Sequence, residues 1–201
     1  RAATVLPQAD STASQRQGAL MQLSASSSVE EVAAIVSDAL TSAGITAVLS
    51  GGAAVQIYTS GLYESRDLDF VASASQRELE QVLSRLGFTR QAGRHCVHQT
   101  CPYTLEFPSW PLAVGNELVR EWGERPVGAL RIQILTPTHC VMDRLAAFYH
   151  WRDRQGLDQA VLVAAQQVVD LDEIERWSLR EGHAEAHREF AARVKKTRNG
   201  G

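Results

Sequence analysis

Asp67 and Asp69 stand two residues apart in Arg66-Asp67-Leu68-Asp69-Phe70-Val71, alternating with the apolar Leu68 and Phe70. That alternation is the pattern of a strand, so the two carboxylates share a face, about 6–7 Å apart along the chain. Like charges that close repel unless a cation lies between them. Hard carboxylate oxygens select Mg²⁺, which in turn takes substrate phosphates as ligands. Upstream, the apolar run Ala47-Val48-Leu49 breaks at Ser50-Gly51-Gly52 and resumes as Ala53-Ala54-Val55-Gln56-Ile57-Tyr58, compact enough for a helix. Paired glycines let backbone N–H groups approach a phosphate, because no Cβ stands in the way. A helix beginning directly after them turns its positive end toward the same anion. Ser50, Gly51 and Gly52 are therefore candidate phosphate-binding residues, and Asp67 and Asp69 candidate metal ligands. The combination suits phosphoryl or nucleotidyl transfer. The plainer alternative is an ordinary β-α-β unit with exposed aspartates.

The elements that must hold these residues are legible in outline. Ser28 and Glu31 form a capping box for a helix carrying Val29, Val32, Ala33, Val36, Ala39 and Leu40 on its apolar face, and Gly44 stops it. Ser75 caps a second helix through Leu86. Phe88–Arg90, Cys96–Gln99 and Tyr103–Phe107 read as strands. In the last of these Tyr103, Leu105 and Phe107 share one face, so Glu106 points the other way. Residues 108–126, with three prolines and two glycines, read as a loop with a helical turn, and Val127–Leu135 as one more strand. Beyond Pro137 the pattern is helical: Cys140–His150, Leu157–Val168, a segment introduced by Asp170 and Asp172 and running through Leu179, and a charged His183–Lys195. The expected fold class is α/β (α+β), a mixed sheet flanked by helices, with residues 28–135 as the site-bearing domain and 136–196 as a C-terminal helical appendage.

Gly51-Gly52 followed by Asp67-Leu68-Asp69 resembles the signature of the DNA polymerase β-like nucleotidyltransferase superfamily. There a Gly-Gly or Gly-Ser turn precedes an Asp-x-Asp strand, and a third carboxylate follows on a later strand. The spacing is slightly long here, extended by Leu62-Tyr63-Glu64. The resemblance implies that Glu106 is the third acid, metal ligand and base, beside Asp67 and Asp69 on Mg²⁺. Leu130–Pro137, Met142-Asp143-Arg144-Leu145-Ala146-Ala147, Arg152 and Asp158 are similar to the AbiEii branch, which comprises bacterial toxin and phage-defence proteins. Arg144 and Arg154-Gln155 depart from the Lys and Lys-Asp common there, while an arginine keeps the charge and can hold phosphate bidentately. The resemblance thus implies transfer of a nucleoside monophosphate from an NTP to an acceptor hydroxyl, possible RNA (tRNA) or protein acceptors, a cognate antitoxin, and Arg154 on the triphosphate. Two rival readings are a binding module that has lost turnover and an antibiotic-modifying nucleotidyltransferase.

Composition narrows the field. In 201 residues, 44% hydrophobic and 21% charged is ordinary for a globular chain able to bury a core. The net charge of −3 gives no basic field for indiscriminate nucleic-acid binding. Three cysteines, Cys96, Cys101 and Cys140, fit a reducing cytoplasm better than a disulfide framework, and no apolar run suggests a membrane span. Residues 1–27 read as a disordered or non-native tail, with Met21 a candidate start. His95-Cys96-Val97-His98 with Cys101 reads as strand packing rather than a zinc site, and His183 and His187 as solvated helix surface. Arg66 is expected to point away from the aspartates, and Arg154 with Asp158 forms an i,i+4 pair that could be a surface contact alone.

Overall fold

The computed structural model describes residues 23–91 and 94–199, so Met21 and most of the expected tail lie outside the described residues. Helix α1 (Val29–Ser42) opens with the Ser28/Glu31 capping box, and Gly44 beyond its end has a φ of +75°. Strand β1 (Ala47–Ser50) leads straight into α2 (Gly51–Tyr58) and then β2 (Asp67–Ala72). A second capping box, Ser75 with Glu78, starts α3 (Gln76–Arg85). Strands β3 (Phe88–Arg90), β4 (His95–His98) and β5 (Thr104–Glu106) follow, each close to its expected span.

Residues 108–126 differ from the loop with a helical turn expected of them. They hold a two-stranded hairpin, β6 (Ala113–Val114) and β7 (Glu117–Leu118), turned at Gly115 with φ +58°, and then β8 (Gly123–Val127). Strands of two residues are too short to show any period. β8 lies at the sheet edge, where Pro126 is tolerated and apolar alternation is not required. The stretch 127–135 is likewise not one strand. Gly128, with φ +58°, turns β8 back into β9 (Leu130–Ile134).

Seven strands make one mixed sheet in the order β3-β4-β5-β2-β1-β9-β8. β1 pairs antiparallel with β2 and parallel with β9, while β2 pairs parallel with β5. Four helices complete the described chain: α4 (Pro137–Trp151), α5 (Arg154–Gln166), α6 (Leu171–Arg180) and α7 (Ala184–Asn199). Thr136, Asp153 and Asp170 cap the first three with their side chains. One apolar cluster joins Leu40, Leu49, Phe70 and Leu105 to Leu145, Leu157, Trp177 and Phe190, so the C-terminal helices share the core of the sheet. Each such side chain contributes on the order of 1.5–3 kcal/mol by burial. Hydrogen bonds pin the junction: the Tyr58 hydroxyl donates to the Leu135 carbonyl at 2.5 Å, and the Gln167 amide donates to the Tyr58 carbonyl at 2.6 Å.

Candidate active site

Strand register decides which side chains meet. Ser50 on β1 lies opposite Asp69 on β2, Asp69 opposite Glu106 on β5, and Glu106 opposite His95 on β4. Partners directly across a ladder share a face, so these four form one row over four strands. Asp67 is on the same face two pairs further along, opposite Thr104. His95 Nδ1 is 2.9 Å from Glu106 Oε1. Asp69 is the group under most pressure. Burial first, then the neighbouring Glu106, raise its pKa from the ordinary 3.8 to about 6; Asp143 and Asp67 add to this and Arg144 opposes it.

Gly51 makes the close approach possible. A Cβ there would fall 2.1 Å from Asp69 Oδ2, and its φ of +67° suits glycine. Gly52 has a milder constraint, since a Cβ would meet the Ser65 hydroxyl at 2.9 Å and the Tyr63 ring at 3.3 Å rather than an acid of the site. The Ser50 hydroxyl donates to the Asp69 carbonyl at 3.3 Å. From the other side α4 brings in Asp143 and Arg144. The Gly51 N–H donates to Asp143 Oδ2 at 3.4 Å, and Arg144 donates to the same oxygen through Nε at 3.0 Å and Nη2 at 2.5 Å. Burial works against the Arg144 charge, yet Asp143 holds its pKa above the ordinary arginine value. Gln159 on α5 accepts from Arg144 Nη1 at 3.4 Å, and Gly156 lets α5 come near, since a Cβ there would be 2.7 Å from the Arg144 carbonyl oxygen. Ser50, Gly51, Asp69, Ser109, Asp143 and Arg144 line an open cavity of about 400 Å³. A smaller cavity of about 230 Å³, between α3 and the segment 107–110, is lined by none of the acids.

Among solved structures the chain is similar to an antigenic nucleotidyltransferase-like protein from Paracoccidioides brasiliensis, with a TM-score of 0.58 and 14% identity over 86% of this chain and 94% of that one. It is also similar to ANT(2″)-Ia in complex with adenylyl-2″-tobramycin, with a TM-score of 0.46 and 14% identity over 82% and 97%. The fold is nucleotidyltransferase-like. At this identity the likeness concerns the fold alone. No family model and no curated protein matches the chain.

On this nucleotidyltransferase-like frame the expected residues divide. Ser50, Gly51 and Asp69 line the cavity, while Glu106 neighbours Asp69 across the ladder and Asp67 lies on the same face, neither of them lining it. Among the described residues no three His, Cys, Asp or Glu side chains gather closely enough to cage a metal, so the expected triad of Asp67, Asp69 and Glu106 is not an all-protein cage. The donor chemistry still fits Mg²⁺, which is commonly held by one or two carboxylates and completed by water and substrate phosphates. The mutual repulsion that raises the Asp69 pKa is what a cation would relieve.

Arg154 does not line this cavity. It lies at the start of α5, beyond the C-terminal end of α4, where it pairs with Glu189 at 2.6 and 3.1 Å and sits 5.3 Å over the Phe148 ring. Its expected partner Asp158 pairs instead with Arg193 at 2.6 Å. The cation in the site is Arg144. His98 accepts from the Thr100 and Cys101 amides and packs on Phe88, which is strand packing as expected. His187 and His183 are not the solvated pair expected: His187 is buried beside Phe190, and His183 stacks on Tyr149 at 4.6 Å.

Proposed function

We propose that the chain transfers a nucleoside monophosphate from a nucleoside triphosphate to an acceptor hydroxyl, releasing pyrophosphate. One observation carries the reading: the row Ser50-Asp69-Glu106, with Asp67 on its face, beside the Gly51 turn of a nucleotidyltransferase-like fold. The acceptor oxygen bonds to the α-phosphorus as the bond to the bridging oxygen breaks. Glu106 takes the hydroxyl proton, and His95 steadies that carboxylate from its outer side. Asp67 and Asp69 would hold Mg²⁺, with Glu106 adjoining, and the ion when bound supplies positive charge against the phosphates. The Gly51 and Gly52 amides at the start of α2 favour a phosphate beside Ser50, and Arg144 supplies the cation that Arg154 does not.

The sequence resemblance around Asp143-Arg144 supports a setting among AbiEii-type toxin or phage-defence proteins, with RNA or protein as acceptor. The test uses each NTP labelled at the α or the γ phosphate, with Mg²⁺, total tRNA and the protein itself. α-Label in an acceptor supports the reading. γ-Label in an acceptor would make the chain a kinase, and no transfer from any NTP would reject the reading.

A further inference from the structure

We propose that Asp143 sets how tightly the site takes a phosphate ligand, by occupying the donors that a phosphate would use. This rests on the nucleotidyltransferase reading of the same site. A single oxygen, Asp143 Oδ2, accepts from the Gly51 N–H at the start of α2 and from both Nε and Nη2 of Arg144. A helix-terminal amide and a guanidinium fork are the donors that recognise a phosphate oxygen. The carboxylate therefore stands in for a phosphate. The contact belongs to the cavity wall and not the outer surface, since the Asp143 and Arg144 side chains are 21% and 19% exposed.

The two partners are held unequally. Gln159 supports Arg144 from α5, while among the described residues Asp143 is held by Arg144 and the Gly51 N–H, the donors that a phosphate would take over. Asp143 can thus turn away while the guanidinium stays. Its charge also acts against Asp69, so its departure lowers repulsion in the site. A nucleoside monophosphate offers one anionic group for one carboxylate, an even exchange. A triphosphate can give one group to these donors while its others are held elsewhere. Asp143 thereby competes equally with any phosphate that uses these donors, and a triphosphate overcomes it through the groups held elsewhere.

Calorimetric titration of ATP and AMP, with Mg²⁺ and with EDTA, into wild type, Asp143→Ala, Asp143→Asn, Arg144→Ala and the Asp143→Ala/Arg144→Ala double variant tests this. Thermal unfolding of each variant verifies folding, and Asp143→Asn keeps the side-chain shape. The expected result is that both Asp143 variants bind AMP and ATP about tenfold more tightly, with the ATP-over-AMP preference unchanged. That gain should largely vanish in the Arg144→Ala background. Unchanged affinity for both nucleotides overturns the proposal, and so does weaker ATP binding confined to Mg²⁺, which would make Asp143 a metal ligand. If no form binds any nucleotide, the nucleotidyltransferase reading itself falls.

Discussion

Around Asp69, the carboxylates of Asp67, Glu106 and Asp143 crowd one wall and Arg144 is the cation that answers them. Between α5 and α7 the arrangement is the reverse: Arg154 meets Glu189, and Asp158 meets Arg193. Arg180 on α6 likewise meets Glu117 on β7. The helical pairs are half-exposed and matched one to one, which solvent screens to a small effect each. The acid wall is partly buried and holds more carboxylates than partners, with Arg144 on Asp143 and His95 on Glu106, so Asp69 is left where burial disfavours its charge. Charges matched one to one mark scaffold here, and an excess of one sign marks chemistry.

The contrast can be broken most severely at Gly51. Gly51→Ala places a Cβ on the Asp69 carboxylate in a backbone conformation that costs a residue with a Cβ roughly 1–3 kcal/mol. Chemical denaturation should show at least that loss, with transfer abolished. Gly52→Ala should be milder in both, since its φ is not positive and the Ser65 and Tyr63 side chains, not Asp69, are what must give. Next in size is Glu106→Gln. Removing the strongest neighbouring charge should lower the Asp69 pKa from about 6 toward 3.8 without reaching it, because burial remains. A carbon-detected NMR titration of the carboxyl group reads this, and an unmoved pKa would mean that the two acids do not interact. Smallest is Arg154→Ala, which should leave nucleotide binding unchanged by calorimetry and thermal stability nearly so, because its partners are Glu189 and a ring face outside the cavity. A strong loss of ATP affinity would return Arg154 to the site.

Much of the wall was legible because strands announce their faces. Leu68 and Phe70 against Asp67 and Asp69, and Leu105 against Glu106, told which way each acid points, and the register then aligned them. The capping box at Ser28 and the cap at Ser75 marked helix starts to the residue. Asp143 was missed as a site residue because its place depends on how α4 docks against α2, which no local pattern encodes. The available signal was Gly156, whose missing side chain lets α5 press against the Arg144 carbonyl. Arg154 was misplaced for the same reason: its sequence neighbourhood resembled a phosphate contact, while the helix ends turned it toward α7. The burial of His187 followed from packing beside Phe190 on a helix whose composition looked solvated.

The most direct measurement joins stability and chemistry in one variant, Asp69→Asn. The folded-state pKa is raised, so this group's contribution to stability is full below about pH 3.8 and is lost as pH rises through about 6. Above pH 7 the wild type carries a desolvated charge that the amide removes. After discounting for partial exposure, Asp69→Asn should be more stable by about 1–2 kcal/mol at pH 8, with the gain shrinking toward pH 4. The same protein should transfer no α-labelled nucleotide. A variant that is stabilised and inactive fits a charge held at a cost for catalysis. One that is destabilised at pH 8, or that still transfers, contradicts it.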